Sequence, residues 1–293
     1  MRKNFAQTVS KELSNNPSSV LLLGDIGVHA FRDSLKEFPD RVYNIGILEQ
    51  SMISVGAGMS LEGLIPTIHT IAPFIVERAL EQLKVDFGYQ KLQGNVVTVG
   101  ASIDYAALGG THHCPGDVSI LLNIPDLQIL VPGHGEEFAS LYTETSRNGE
   151  LTYTRLSETC NSAPKKVQFG KGLLIQEGHE VTVLCVGPTL DLALEACADL
   201  NVNILYFTTV SPFDSELLKS TCTNGKVLLI EPFYKHTLSP LIIEALSPLS
   251  VQIKSIGIPR KFLRNYGTTA QHLNYIGLTV NNIKSTITEL IGA

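Results

Sequence analysis

Tyr43 to Gly63 reads YNIGILEQSMISVGAGMSLEG. The run VYNIG (42–46) has the β-branched and aromatic content of a short buried strand, closed by Gly46. A single carboxylate, Glu49, then opens a segment of small and apolar residues with no further charge until Glu62. Strand, tight turn and helix in that order form the repeating unit of an α/β fold. Gly56, Ala57 and Gly58 let the helix backbone approach another surface closely, which suits a buried subunit interface. Two readings of Glu49 follow. An acid in the first turn of a helix gains roughly 0.3–1 kcal/mol from the helix dipole, and spacing alone favours that account. The other is a buried carboxyl. Burial disfavours the charged form of such a group and makes it a candidate proton donor to a ligand nitrogen.

The same alternation runs outward in both directions. Strand candidates are VLLLG (20–24), IPTIH (65–69), VVTVGA (96–101) and LQILVP (127–132). Between them, FIVERALEQLKVDFGYQ (74–90) sets apolar residues at 75, 76, 79, 80, 83 and 87, a helical spacing, and DVSILLNI reads as a helix ending at Pro125. The rhythm breaks over about 160–178, a connector with at most an irregular strand pair. A second set then begins with EVTVLCVG (180–187) and continues through VNILYF (202–207), KVLLIE (226–231) and VQIKSIGI (251–258), with helices between and an amphipathic close, VNNIKSTITELIG. The sequence therefore predicts two α/β domains, each a mostly parallel sheet flanked by helices, over 1–160 and 179–293 with a linker at 161–178.

With 293 residues, two domains that each bury a core is the natural division. The formal net charge of −6 and the lack of a basic patch argue against nucleic acid as a partner. Five cysteines without C-x-x-C spacing suit reduced thiols in a cytoplasmic protein and no structural zinc. The N-terminal stretch MRKNFAQTVSKELSNN is too polar for a signal peptide. GLIPTIHTIAPFIV (63–76), with two prolines and a histidine, is too short to span a membrane.

No glycine-rich nucleotide motif, Walker loop or G-x-S-x-G is present. Candidate chemistry therefore rests on polar groups at the carboxyl ends of strands: GDIGVH (24–29), GILEQ (46–50) and GGTHHCPGD (109–117). In the last of these, adjacent His112 and His113 on a strand would point to opposite faces, so at most one faces a site. Cys114 and Asp117 complete no metal set. An acid/base or hydroxyl contact suits one histidine, against the alternative of a histidine satisfied by loop backbone.

Taken together, GILEQSMISVGAGMSLEGLIPTIHTIAPFIVERALEQLKVD and GGTHHCPGDVSILLNIPDLQILVPGHGEEF resemble the pyrimidine-binding domain of transketolases and deoxyxylulose-phosphate synthases. EVTVLCVGPTLDLALEA, VSPFD, KVLLIEPFYKHTLSPLIIEAL and IGIPRKFLRNYG are similar to that family's C-terminal domain. The resemblance implies thiamine diphosphate as cofactor, with magnesium. It places Glu49 against a nitrogen of the cofactor pyrimidine, where it drives the cofactor's own activation. It sets Ile71 and Phe74 at positions that stack on that ring, Arg78 beside it, and Asp25 near the cofactor. His112 matches the histidine that contacts substrate.

Departures from the family pattern carry as much information. The GDG…N motif that grips diphosphate and magnesium has no counterpart, so the resemblance is to the second subunit of a split transketolase. A separate diphosphate-binding subunit is implied, in a two-plus-two heterotetramer, with a small sugar as substrate. The family's usual phosphate anchors are replaced: His29 stands for a serine, Gly100 for a histidine, Leu108 for an aspartate, and in TYTRLSETC Glu158 follows Arg155 where an arginine is usual. Arginine is the residue for bidentate phosphate recognition. His29, His112, Arg155 and Glu158 are thus the expected substrate contacts, to an atypical substrate such as a non-phosphorylated, amino- or nucleotide-bearing sugar. A 2-oxo-acid dehydrogenase beta subunit shares the two-domain layout, and a non-catalytic partner of a thiamine enzyme is the alternative outside catalysis. Glu231 and His236, in the second domain, read as structural.

Overall fold

The computed structural model describes residues 1–292. Six runs able to bury both faces form parallel strands: β1 (Ser19–Leu23), β2 (Val42–Asn44), β3 (Ile65–Ile71), β4 (Gly94–Val99), β5 (Gln128–Leu130) and β6 (Leu151–Arg155). A second group follows: β7 (Leu173–Gln176), β8 (Thr182–Val186), β9 (Asn203–Phe207), β10 (Thr209–Ser211), β11 (Lys226–Tyr234) and β12 (Gln252–Ile258). The first sheet has the order β10-β5-β6-β4-β3-β1-β2 and the second β12-β11-β8-β9-β7. Every pairing is parallel except β10 on β5 and β7 on β9. Near-continuous apolar strands belong to parallel sheets covered on both faces.

Helices supply the covers. Around the first sheet lie α1 (Arg2–Asn15), α2 (Arg32–Glu37), α3 (Glu49–Leu61), α4 (Ala72–Val76), α5 (Leu80–Gln82), α6 (Asp117–Leu121) and α7 (Gly135–Thr145). Around the second lie α8 (Leu190–Cys197), α9 (Ser215–Thr221), α10 (Ser239–Leu246), α11 (Thr269–Ile276) and α12 (Val280–Ile291). No helix among the described residues is long and apolar enough to cross a membrane. The helical period read over 74–90 marks the right buried face, since Ile75, Val76, Ala79, Leu83 and Phe87 are all buried. The helix itself is interrupted: α4 stops at Val76, α5 follows after a turn, and Leu83–Tyr89 closes as a π-helix. The break turns Glu77 and Arg78 outward. It falls after the carboxyl end of β3, where the ligand crevice of a parallel sheet lies.

The two halves are welded rather than merely linked. β10 follows β9 of the second sheet yet pairs with β5 of the first. β7 arises within the expected linker and edges the second sheet. One apolar cluster runs through Ile129 and Val131 of the first half to Leu184, Phe207 and Val210 of the second. Glu137 anchors the joint, accepting from Tyr206 Oη at 2.7 Å and from the backbone N–H of Lys165 at 2.9 Å. In the second half, buried Glu231 accepts from the N–H groups of His236 (2.6 Å) and Leu238 (2.9 Å) and from Ser255 Oγ (2.8 Å). Burial still holds its carboxyl up at about 7.

Candidate active site

Four strand ends converge on one crevice. After β1 the chain turns through Asp25, at φ 65°, whose N–H donates to Asn44 Oδ1 at 3.0 Å. Asn44 ends β2 and also accepts from the Gly46 N–H at 3.1 Å. The two turns are thereby locked together, and the second delivers Glu49 as the first residue of α3. That helix lies close on the sheet because of Gly56: a β-carbon there would stand 2.7 Å from Ile68 Cδ1. Its tight approach is thus to the chain's own sheet. The opposite side, with Val55 and Gly58, is exposed.

Glu49 is 1% exposed. Arg78 Nη1 donates to its Oε2 at 2.6 Å, while its Oε1 is buried with no partner. A buried carboxylate oxygen left without a donor costs roughly 1–3 kcal/mol or more, and such an orphan on a crevice wall calls for a ligand. The Arg78 guanidinium, 41% exposed, also lies over the Phe74 ring at 4.4 Å. Phe74 in turn meets the His112 ring edge-on with centroids 5.4 Å apart. Ile71, at the end of β3, and Phe74 are each half-buried. The structure therefore brings Glu49, Phe74, Arg78 and His112 into one contiguous surface. A carboxylate with an open oxygen, an aromatic and an aliphatic side chain to flank a ring, and a guanidinium beside it suit a planar heteroaromatic cofactor of the thiamine type.

His112 is not on a strand. Gly109–Thr111 form a single 3-10 turn, and Thr111 Oγ1 lies 2.9 Å from His112 Nδ1. His113 turns away, 8% exposed, with its ring 5.7 Å from that of His272. Desolvation, then the neighbouring His272, holds its pKa below the usual range.

Beyond His112 the wall is built from residues that the motifs do not reveal. Tyr105 meets His112 at 5.8 Å and receives a hydrogen bond on its Oη from Arg2 at 2.8 Å. Arg2 also pairs with Glu158 at 3.4 Å. The Tyr105 ring fills the space that a side chain at position 100 would need: a β-carbon on Gly100 (φ +74°) would lie 2.5 Å from Tyr105 Cε2. Asp104 accepts from the Glu158 N–H at 3.0 Å, and desolvation pushes its pKa up to about 7. Asp25 and His29 are exposed on the turn after β1.

Arg155 corrects the sequence expectation. It is 0% exposed and does not face the crevice. Its Nε donates to Asp117 Oδ2 at 2.7 Å, its Nη2 donates to Ser102 Oγ at 2.6 Å, and its guanidinium lies 5.4 Å over Phe233. Ser102 Oγ donates to the Pro232 carbonyl, and its own carbonyl accepts from the Cys114 N–H at 2.8 Å. Arg155 thus pins both feet of the loop that presents Tyr105 and His112; its Nη1 is buried with no partner among the described residues, and at 0% exposure the residue offers no surface to the crevice. Among the described residues no group of three or more His, Cys, Asp or Glu side chains could hold a metal ion.

The relatives agree with this architecture. An uncharacterised 33.6 kDa protein of the fasciation locus of Rhodococcoides fascians is 35% identical over 98% of this chain and 94% of its own. A subunit of the apulose-4-phosphate transketolase of Phocaeicola vulgatus is 25% identical over 99% of this chain and 97% of its own. In fold, the chain overlays on a split-gene transketolase solved as an inactive beta4 tetramer, with TM-score 0.86 and 24% identity over 99% of this chain and 97% of that one. Residues 170–283 match the transketolase C-terminal domain. Residues 1–159 match the transketolase pyrimidine-binding domain, and the chain belongs to the transketolase family.

Proposed function

We propose that this chain is the cofactor-activating subunit of a two-subunit, thiamine diphosphate-dependent enzyme that transfers a two-carbon ketol or acyl unit between sugar-type substrates. The observation that carries the proposal is the buried, partnerless Oε1 of Glu49 beside Phe74 and Arg78. Ile71 and Phe74 are the side chains that would pack on the cofactor's pyrimidine ring. Glu49 Oε1 would be the acceptor open to a ring nitrogen of that cofactor, and Arg78 holds the other carboxylate oxygen in place. When bound, thiamine diphosphate supplies the nucleophilic carbon that carries the transferred unit. His112, at the crevice wall and braced by Thr111, meets the substrate's oxygen atoms. Asp25 and His29 line the entrance.

In the proposal, a partner subunit completes the site. Ile47 and Leu48, 66% and 57% exposed, flank the buried Glu49 and give an apolar rim on which a second subunit can close. The proposal assigns diphosphate and magnesium to that subunit, in a two-plus-two heterotetramer working in the cytoplasm. The apulose-4-phosphate transketolase relative, itself one subunit of its enzyme, supports the two-chain arrangement. Glu158, Gly100 and Leu108 at the family's phosphate-anchor positions point to a substrate other than an ordinary ketose phosphate.

The test is co-expression with a diphosphate-binding transketolase half, then ketol-transfer assays with and without thiamine diphosphate and magnesium. Glu49→Gln should keep the complex intact and lower turnover by about 100- to 10,000-fold, the usual weight of a positioned acid/base group. Full activity in that variant would make the chain a scaffold. Xylulose 5-phosphate turnover at ordinary transketolase rates would overturn the substrate assignment.

A further inference from the structure

A second cavity, of about 190 Å³, opens beside the crevice between α1 and the turn after β1. Phe5, Ile26, Phe31 and Val99 make its walls apolar, and Arg2 and His29 stand among its lining residues. Its polar feature is His69, 3% exposed on β3. The Nδ1 of His69 lies 2.7 Å from the Val97 carbonyl. A carbonyl only accepts, so Nδ1 carries the hydrogen. Burial holds the imidazole neutral, its pKa lowered to about 4. Nε2 is then a bare acceptor, and no side chain or backbone group among the described residues donates to it.

The edge that carries this lone pair is kept clear by Gly27. A β-carbon there would sit 2.7 Å from His69 Cδ2 and 3.2 Å from Nε2, and φ of +87° favours glycine in any case. Phe5 packs on the imidazole at a centroid distance of 4.5 Å and meets Phe31 edge-on at 5.2 Å. An apolar cavity of about 150 Å³ holds a benzene ring, so this one has room for a single ring. Phosphate does not suit it. A phosphate anion would have to leave water for apolar walls, and the His69 acceptor cannot neutralise its charge. Arg2 bonds Tyr105 and pairs with Glu158, and an anion that drew it away would leave the Glu158 carboxylate unpaired beside it.

We propose that this cavity is a specificity subsite for an uncharged, ring-sized group bearing one O–H or N–H donor, with His69 Nε2 as its acceptor. Resting on the function proposed above, the subsite receives the non-reacting end of the substrate. Continuity supports this. His29 lies on the turn that begins with Asp25, Ile71 packs in one cluster with Ile26 and Val99, and Arg2 bonds the Tyr105 that touches His112.

The experiment uses the full chain with ¹⁵N-labelled histidine and three probes: phenol, anisole and inorganic phosphate. Phenol should bind saturably and move the His69 Nε2 resonance. Anisole, which has the ring without the donor, should bind about 10-fold more weakly, the weight of one hydrogen bond. Phosphate should neither move His69 nor displace phenol. Ala30→Phe, at an exposed position on the cavity lining, should abolish the phenol response with the unfolding midpoint unchanged. Equal binding of phenol and anisole, phosphate displacing phenol, or phenol binding that survives Ala30→Phe would each overturn the proposal. If the variant fails to fold, the phenol–anisole comparison on the native chain decides alone. No partner or cofactor enters the titration. A reconstituted complex without ketol transfer would remove the function reading and leave the cavity standing. An active complex whose chain ignores phenol would remove only the cavity.

Discussion

Removing the Asp117 carboxylate tests whether Arg155 is a buried pin. In Asp117→Asn the Arg155 guanidinium stays buried at 0% exposure but loses its charged partner at 2.7 Å. Two unit charges about 4 Å apart at an effective dielectric near 20 attract by about 4 kcal/mol. Breaking a buried pair from one side typically costs about 3–5 kcal/mol. Ser102 and the Phe233 face still solvate the guanidinium, and Asn still accepts one hydrogen bond. The expected loss is therefore about 3 kcal/mol, a large share of the roughly 5–15 kcal/mol that holds a native domain together. Urea unfolding followed by far-UV circular dichroism and tyrosine fluorescence reads it, since the chain has nine tyrosines and no tryptophan. With a urea slope of about 2–3 kcal/mol per molar, the midpoint should fall by about 1 M or more. The double variant Asp117→Leu/Arg155→Met should recover most of the loss, because apolar replacement of a whole buried pair is often neutral. It should nevertheless loosen the 102–114 loop and broaden the His112 ring signals. A cost below about 1 kcal/mol for Asp117→Asn, or a double variant as unstable as the single one, would refute the view of Arg155 as a pin.

Three further outcomes follow from named groups. His69 stays neutral in the fold down to about 4, whereas an exposed histidine titrates near 6.5. The unfolded chain therefore takes up the extra proton between those values, and stability that is full above about 6.5 falls by about 3 kcal/mol as pH drops to 4; His69→Gln should flatten that slope in urea titrations at pH 7 and pH 5. Asp104 has the opposite sign. Its carboxyl, raised to about 7, holds its proton in the fold but loses it near 3.8 when exposed, so its contribution worsens as pH rises from 4 to 7; Asp104→Asn should raise the thermal midpoint at pH 8 more than at pH 5. Glu158→Arg, in the reconstituted complex, should lower KM for phosphorylated sugars by about 10-fold or more, the value of a charge-assisted contact replacing a repulsion.

Much of the crevice was legible because its chemistry travels in short motifs. Glu49, Phe74, Arg78 and His112 each sit in a run that fixes a turn or a helix start, and the structure brings these four together. The fold was legible wherever strands were apolar. It was not legible at β6, whose LTYTR carries Thr152, Thr154 and Arg155 inward. Among these polar groups, Thr152 is satisfied by Gln128, and Arg155 is paired with Asp117 through Nε while its Nη1 stays without a partner, and a pattern of hydrophobicity cannot show that. The same blindness put Arg155 on the substrate. Arg2 and Tyr105 went unseen for another reason: they are 103 positions apart and meet only through the packing of α1. β10 was hidden because its partner strand lies in the other half of the chain.

Under the proposed function, the charge at the far end of the crevice sets the choice of substrate. Arg2 and Glu158 are each about half exposed, and at 3.4 Å such a pair contributes only about 0–1 kcal/mol. Neither side chain is therefore tightly held, and a ligand can take either one at small cost. The two choices are unequal. An anion that takes Arg2 leaves the Glu158 carboxylate unpaired beside it. A hydroxyl or ammonium that takes Glu158 leaves Arg2 still bonded to Tyr105 Oη. Tyr105 itself cannot retreat toward position 100 to make room for a larger anion, because it already fills that space over Gly100. The residues that replace the family's anchors thus act together. In the proposed reading, Glu158 inverts the charge, Tyr105 fills the space over Gly100, and the acceptor on His69 is matched to a donor.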